Sequence, residues 1–108
     1  MSSTFKSAVA QSVGVSSVDV YSVPASTSTT VIGLSLANTT TGVITVSTKV
    51  TKGATSVYII KDAPIPVGSS LVLFGGDQKL VVSSADKISV ISNTPASVDV
   101  VLSFLEIT

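Results

Sequence analysis

Acid–base or nucleophilic chemistry needs a base, and this chain contains neither histidine nor cysteine. What remains is a Ser–Lys arrangement or a pair of carboxylates. Serine and threonine fill 33 of the 108 positions, so a serine near a lysine is expected by chance and signals nothing. The carboxylates Asp19, Asp62, Asp77, Asp86, Asp99 and Glu106 are scattered singly. Asp62, Asp77 and Asp86 fall in turn-like segments, where aspartate bonds to nearby backbone. A calcium loop gathers several oxygens, and Gly76, Asp77 and Gln78 are too sparse for one. Gly75 and Gly76 lack the Lys-Ser/Thr of a phosphate-binding loop, with no helix to follow. The aromatics Phe5, Tyr21, Tyr58, Phe74 and Phe104 could stack on a sugar if several were exposed. At 5% of the residues they are needed more as core filler. The expectation is a non-enzymatic chain with no cofactor and no metal.

Charge narrows the classes further. Six lysines balance five aspartates and one glutamate, there is no arginine, and only 11% of residues are charged, against roughly 25% in ordinary domains. No basic stripe is available for nucleic acid or for an anionic membrane surface. A surface rich in serine, threonine and small apolar groups is cheap to desolvate, because few ions must be stripped of water. That favours a homo-oligomer or assembly component. No run approaches the roughly 18–20 apolar residues that span a bilayer, and residues 1–12 lack the apolar core of a signal peptide. A soluble protein made in a cytoplasm is expected.

The elements that must carry any contact are strands. Valine occurs 19 times, and Val and Thr are stiff at χ1 in a way that suits strands. Period-two alternation recurs, while no apolar stripe holds helical spacing for three turns. Strands are expected over 13–21, with a slip at Ser16 and Ser17, and over 30–38, 43–51 and 56–61. Further strands are expected over 70–74, 79–83, 87–92 and 97–107. In 30–38, Ile32, Leu34 and Leu36 share one face, and the small set Val31, Gly33, Ser35 and Ala37 the other. A face that small means something packs closely over it. The strands 30–38, 43–51 and 56–61 are expected to form a meander. The last of them carries Val57, Tyr58, Ile59 and Ile60, apolar on both faces, so it is either central or covered by a partner. DAPIPVGSS (62–70) should interrupt pairing and carry the chain between sheets. Residues 79–83 are then the hairpin partner of 70–74, across a Gly75–Gly76 turn.

About eight short strands with turns every 8–12 residues predict an all-β fold, a single antiparallel β-sandwich, Ig-like or jelly-roll-like. Residues 1–12 show no strand pattern and read as an N-terminal arm held by neighbours, with 13–108 as the sandwich domain. In the last strand Val98, Val100, Leu102 and Phe104 share one face. The other ends apolar, and Val101, Leu105 and Ile107, with Phe5 and Val9 of the arm, are the candidate interface residues.

Three segments carry a resemblance. YSVPASTSTTVIGLSLANTT (21–40), KDAPIPVGSSLVLFGGDQKLVV (61–82) and VDVVLSFLEI (98–107) resemble small virion proteins of tailed marine phages, notably those of cyanobacteria. The likeness covers about residues 21–107. It implies a virion structural protein made in the host cytoplasm: a capsid decoration or cement protein, with a trimer favoured and the major capsid protein or other virion proteins as partners. Alternatives are a neck, tail or fibre-base component, and a carbohydrate- or host-surface-binding module.

Overall fold

The computed structural model describes residues 3–74 and 80–108. The expected Gly75–Gly76 turn, Asp77, and the side chain of Phe74 lie outside the described residues. Among the described residues nine strands follow one another: β1 (Ser3–Val13), β2 (Val18–Ser22), β3 (Ser28–Asn38), β4 (Ile44–Lys52), β5 (Thr55–Ile65), β6 (Ser70–Phe74), β7 (Leu80–Ser83), β8 (Lys87–Ser92) and β9 (Val98–Ile107).

They form two antiparallel sheets. The larger has the order β1-β9-β3-β6, with β7 also paired to β3, and the smaller has the order β2-β8-β4-β5. The pairs β1–β9, β2–β8, β3 with β6 and β7, and β4–β5 are nested, as in one long hairpin rolled up on itself. That strand order is a jelly roll, which selects one of the two expected sandwich topologies. The inward faces meet in one core, in which Leu34, Leu36, Ile44, Ile65, Ile88 and Leu102 are fully buried.

Several expectations change. The stretch read as an arm is strand β1, paired with β9 from Ser3↔Ile107 to Ala10↔Val100. Its alternation is muted because the half-buried inner positions are only Ala8 and Ala10. A bulge then leaves Ser12 left-handed (φ 56°), with its N–H donated to Asp99 Oδ1 at 2.9 Å. Between β1 and β2 the chain turns at Gly14. A Cβ there would lie 3.0 Å from the Ala96 nitrogen, so the residue must stay small.

In β3 a register shift between Val31 and Gly33 changes the phase of the alternation. Val31, Leu34 and Leu36 are buried, while Ile32 is only half-buried. The expected meander is only the β4–β5 hairpin, because β3 and β4 belong to different sheets. β5 is an edge strand, so the central alternative for residues 57–60 does not hold. The same position lets β5 run through Pro64, which pairs with Thr45: at an edge, proline removes no needed ladder donor. The strand bulges at Asp62 (φ 52°), whose N–H reaches Ser47 Oγ at 2.9 Å. After Ile65 the chain does cross to the larger sheet, as expected. Among the described residues β6 and β7 each pair with β3, end to end along one edge, in place of the expected hairpin.

Thr48 is fully buried in β4, and its hydroxyl has no hydrogen-bond partner. A buried unsatisfied hydroxyl costs about 1–3 kcal/mol, and valine has nearly the same shape. Thr48→Val is therefore expected to stabilise the fold by about 1 kcal/mol, raising Tm by about 5 °C for a domain of this size. A fall in Tm on thermal unfolding would mean the hydroxyl is satisfied in solution.

Candidate interaction surface

The outer face of the larger sheet collects the candidate interface residues. Strand pairing places them in rungs that run across the strands. One rung is Phe5–Leu105–Thr30–Val81, and another is Val9–Val101–Ser35–Val72. Between them lies a row of the smallest side chains, Ser7–Ser103–Gly33. The bulky members are open to solvent: Phe5 is 76% exposed, Val9 71%, Val72 63%, Val81 60% and Val101 48%. Leu105 and Ile107 are half-buried. Other exposed apolar residues, such as Val15, Val43 and Val67, sit outside the strands.

All five predicted interface residues thus lie on β1 and β9, with Phe5 facing Leu105, Val9 facing Val101, and Ile107 facing Ser3. Val72 and Val81 were not anticipated. The signal was present, since each sits between inward-leaning neighbours: Leu71 and Leu73, Leu80 and Val82. In strands this short and apolar, however, sequence does not show which face looks out.

Among the described residues of this face the one charge is Asp99, at its far end opposite Ala37 and engaged with the Ser12 N–H. The charges of the larger sheet are turned elsewhere. Glu106 is buried and takes Lys6 Nζ on Oε1 at 2.8 Å. The Tyr21 hydroxyl donates to its Oε2 at 2.6 Å. Because that proton is committed, the Thr29 hydroxyl at 2.9 Å donates into the Tyr21 oxygen. The Tyr21 ring lies 4.2 Å from that of Phe104. The Lys6 and Tyr21 hydrogen bonds hold the Glu106 carboxyl below its ordinary range, against the opposing effect of burial. Burial first, and then Glu106, push the Tyr21 phenol up to about 12. At the same end of the sandwich, where Ser83 follows the Glu106–Thr29–Val82 rung, Lys52 and the Ser83 N–H hold Asp86 low in the same way.

These groups are therefore locked in fixed protonation states at neutral pH, which suits clasps between strands and gives no poised acid or base. Asp19 accepts from Ser89 Oγ at 2.7 Å. Among the described residues no three acidic side chains come together as metal ligands. Among the described residues the two exposed aromatics, Phe5 and Tyr58, sit on different sheets. Lys49 and Lys61 hold their amines 5.9 and 5.1 Å from the Tyr58 ring centre. Described residues supply no paired aromatic platform for a sugar.

No protein-family model matches this chain, and no curated protein sequence matches it. Among solved structures it is similar to one from work on Bacillus endospore appendages that form a novel family of disulfide-linked pili. The identity is 14% and the TM-score 0.52, over 99% of this chain and 87% of that one. At that identity the likeness is one of fold: this chain shares an all-β architecture with a pilus protein.

Proposed function

We propose that this chain is a non-enzymatic structural subunit that works by packing the outer face of its larger sheet against copies of itself or other proteins. Within that reading it is a phage virion component, a capsid decoration or cement protein on the major capsid protein. The observation that carries the contact role is the apolar face, which holds two bulky rungs and almost no charge. Monomeric proteins seldom expose a contiguous apolar face of this kind without a use for it. The particle comes from the sequence resemblance over residues 21–107. Jelly rolls recur in viral capsid and lectin domains, which supports it only as an analogy of fold.

A second reading, a neck, tail or fibre-base subunit, draws on the fold likeness to a protein of pili. Those appendages are disulfide-linked, and this chain has no cysteine, so any fibre it built would be held by non-covalent packing.

The test mixes purified protein with phage heads that lack it and with isolated tails. Binding to heads, a higher temperature for head rupture, and loss of both in Phe5→Asp are the expected results. Binding only to tails would move the protein to the second reading. Failure to bind either would overturn the virion assignment.

A further inference from the structure

We infer that the apolar face is a self-contact. Two copies pack their larger sheets together about a two-fold axis, and the Phe5 rung of each lies in the Ser7–Ser103–Gly33 trough of the other. This rests on the reading of that face as a contact surface and names its occupant.

Four observations lead to a second copy. The first is shape. Rung and trough lie two residues apart along the strands, about 7 Å, and belong to one face. A half-turn with a two-residue offset therefore puts each copy's ridge in the other's trough. Stacked sheets fill their interface in this interdigitated way, about 10 Å apart.

The second is the composition of the trough. Ser7 and Ser103 have almost no side chain to obstruct a ring, and the half-buried Ile32, bulged beside Gly33, borders the trough at its β3 end. The Gly33, Ser35, Ala37 set of β3 lines an outward face, so the small residues are not needed for packing within the chain.

The third is size. Four strand positions about 4.8 Å apart and ten residues at about 3.4 Å span about 19 Å by 34 Å, roughly 650 Å² in projection. That is on the scale of the roughly 800 Å² per partner buried in stable interfaces.

The fourth is charge. Among its described residues the face brings one charge, the Asp99 carboxylate, which already has a backbone donor. With net charge zero, two copies approach without long-range repulsion, and few ions need be stripped of water.

The experiment is light scattering of the full chain over a range of concentrations, with three variants. Ser103 is exposed, so Ser103→Arg places bulk and charge in the middle of the trough without entering the core. Ser56→Arg puts the same group on β5 of the smaller sheet. Phe5→Ala trims a side chain that is already open to solvent. Wild type and Ser56→Arg are expected at the mass of two 10.9 kDa chains. Ser103→Arg should fall to one chain, and Phe5→Ala should weaken the pair at least tenfold. If Ser103→Arg does not fold, Phe5→Ala decides.

A wild-type mass of one chain, or of three, overturns the two-fold pair. So does a pair that Phe5→Ala and Ser103→Arg leave intact. The head-binding assay separates the two readings. A single chain that still binds heads through this face overturns self-pairing and leaves the structural role standing. A single chain that binds nothing overturns both.

Discussion

Asn38→Ala is expected to cost about 3 kcal/mol of folding stability, lowering Tm by about 15 °C in thermal unfolding. Asn38 is the last residue of β3, where the chain leaves the larger sheet, and it is buried. Its amide donates to the carbonyls of Gly42 at 2.8 Å, Ile65 at 2.8 Å and Pro66 at 3.3 Å. Its Oδ1 accepts from the Thr40 N–H and hydroxyl at 2.9 and 2.8 Å. One side chain therefore ties the β3–β4 crossing to the β5–β6 crossing. Alanine would remove the amide donor from three carbonyls and the acceptor from the Thr40 N–H and hydroxyl, and each hydrogen bond lost at a buried site costs about 1 kcal/mol. Asn38→Asp separates this account from simple loss of packing. It keeps the acceptor but turns a carboxylate oxygen toward three carbonyls, so its folded pKa must be raised. The variant should be weaker than Asn38→Ala at neutral pH and regain stability as the pH falls and protonation restores a donor. If Asp and Ala variants are equally stable at every pH, the amide hydrogen bonds are not what holds the crossings.

Much of the fold was legible because local pattern carried it. In β9 the buried set Val98, Val100, Leu102 and Phe104 is the alternation as read. What was hidden is non-local or leaves no mark on residue type. The bulge at Ile32 shifts the register of β3, and only the adjacent Gly33 hints at it. Pro64 reads as a breaker until the strand is known to be an edge. The nested pairing of first strand with last, and second with eighth, is a relation between distant segments that no window of sequence contains. Asn38 reads as the end of a strand, and its partners Ile65 and Pro66 lie 27 and 28 residues away. The interaction surface was half legible for the same reason. Val101 and Leu105 stood out on a long strand, while their rung partners Val72 and Val81 needed the topology to bring them alongside.

Deleting residues 1–12 should destabilise the fold itself, by about 4 kcal/mol, before any effect on assembly is reached. β1 covers one edge of β9 with antiparallel pairs from Ser3↔Ile107 to Ala10↔Val100. Without it that edge of β9 is open to pairing with other chains, and the buried Glu106 loses its cation. A truncated chain with a much lower Tm and a tendency to aggregate is the expected outcome. Unchanged Tm with loss of particle binding would make residues 1–12 an arm after all. Because truncation removes several things at once, Lys6→Met isolates the charge. A carboxyl whose folded pKa is depressed contributes stability that is complete above its ordinary value, here 4.5. That stability is lost as the pH falls through the folded value. The Lys6 hydrogen bond is the largest cause of the depression, ahead of Tyr21, so Lys6→Met should be the less stable protein at neutral pH. The gap is modest, because Lys6 is half-exposed and screened by solvent. The two proteins should converge in acid, once Glu106 is protonated in both. A gap that persists unchanged from neutral pH into acid would mean that Lys6 supports the edge through its methylene stem. The Glu106 clasp would then contribute nothing to holding β1 in place.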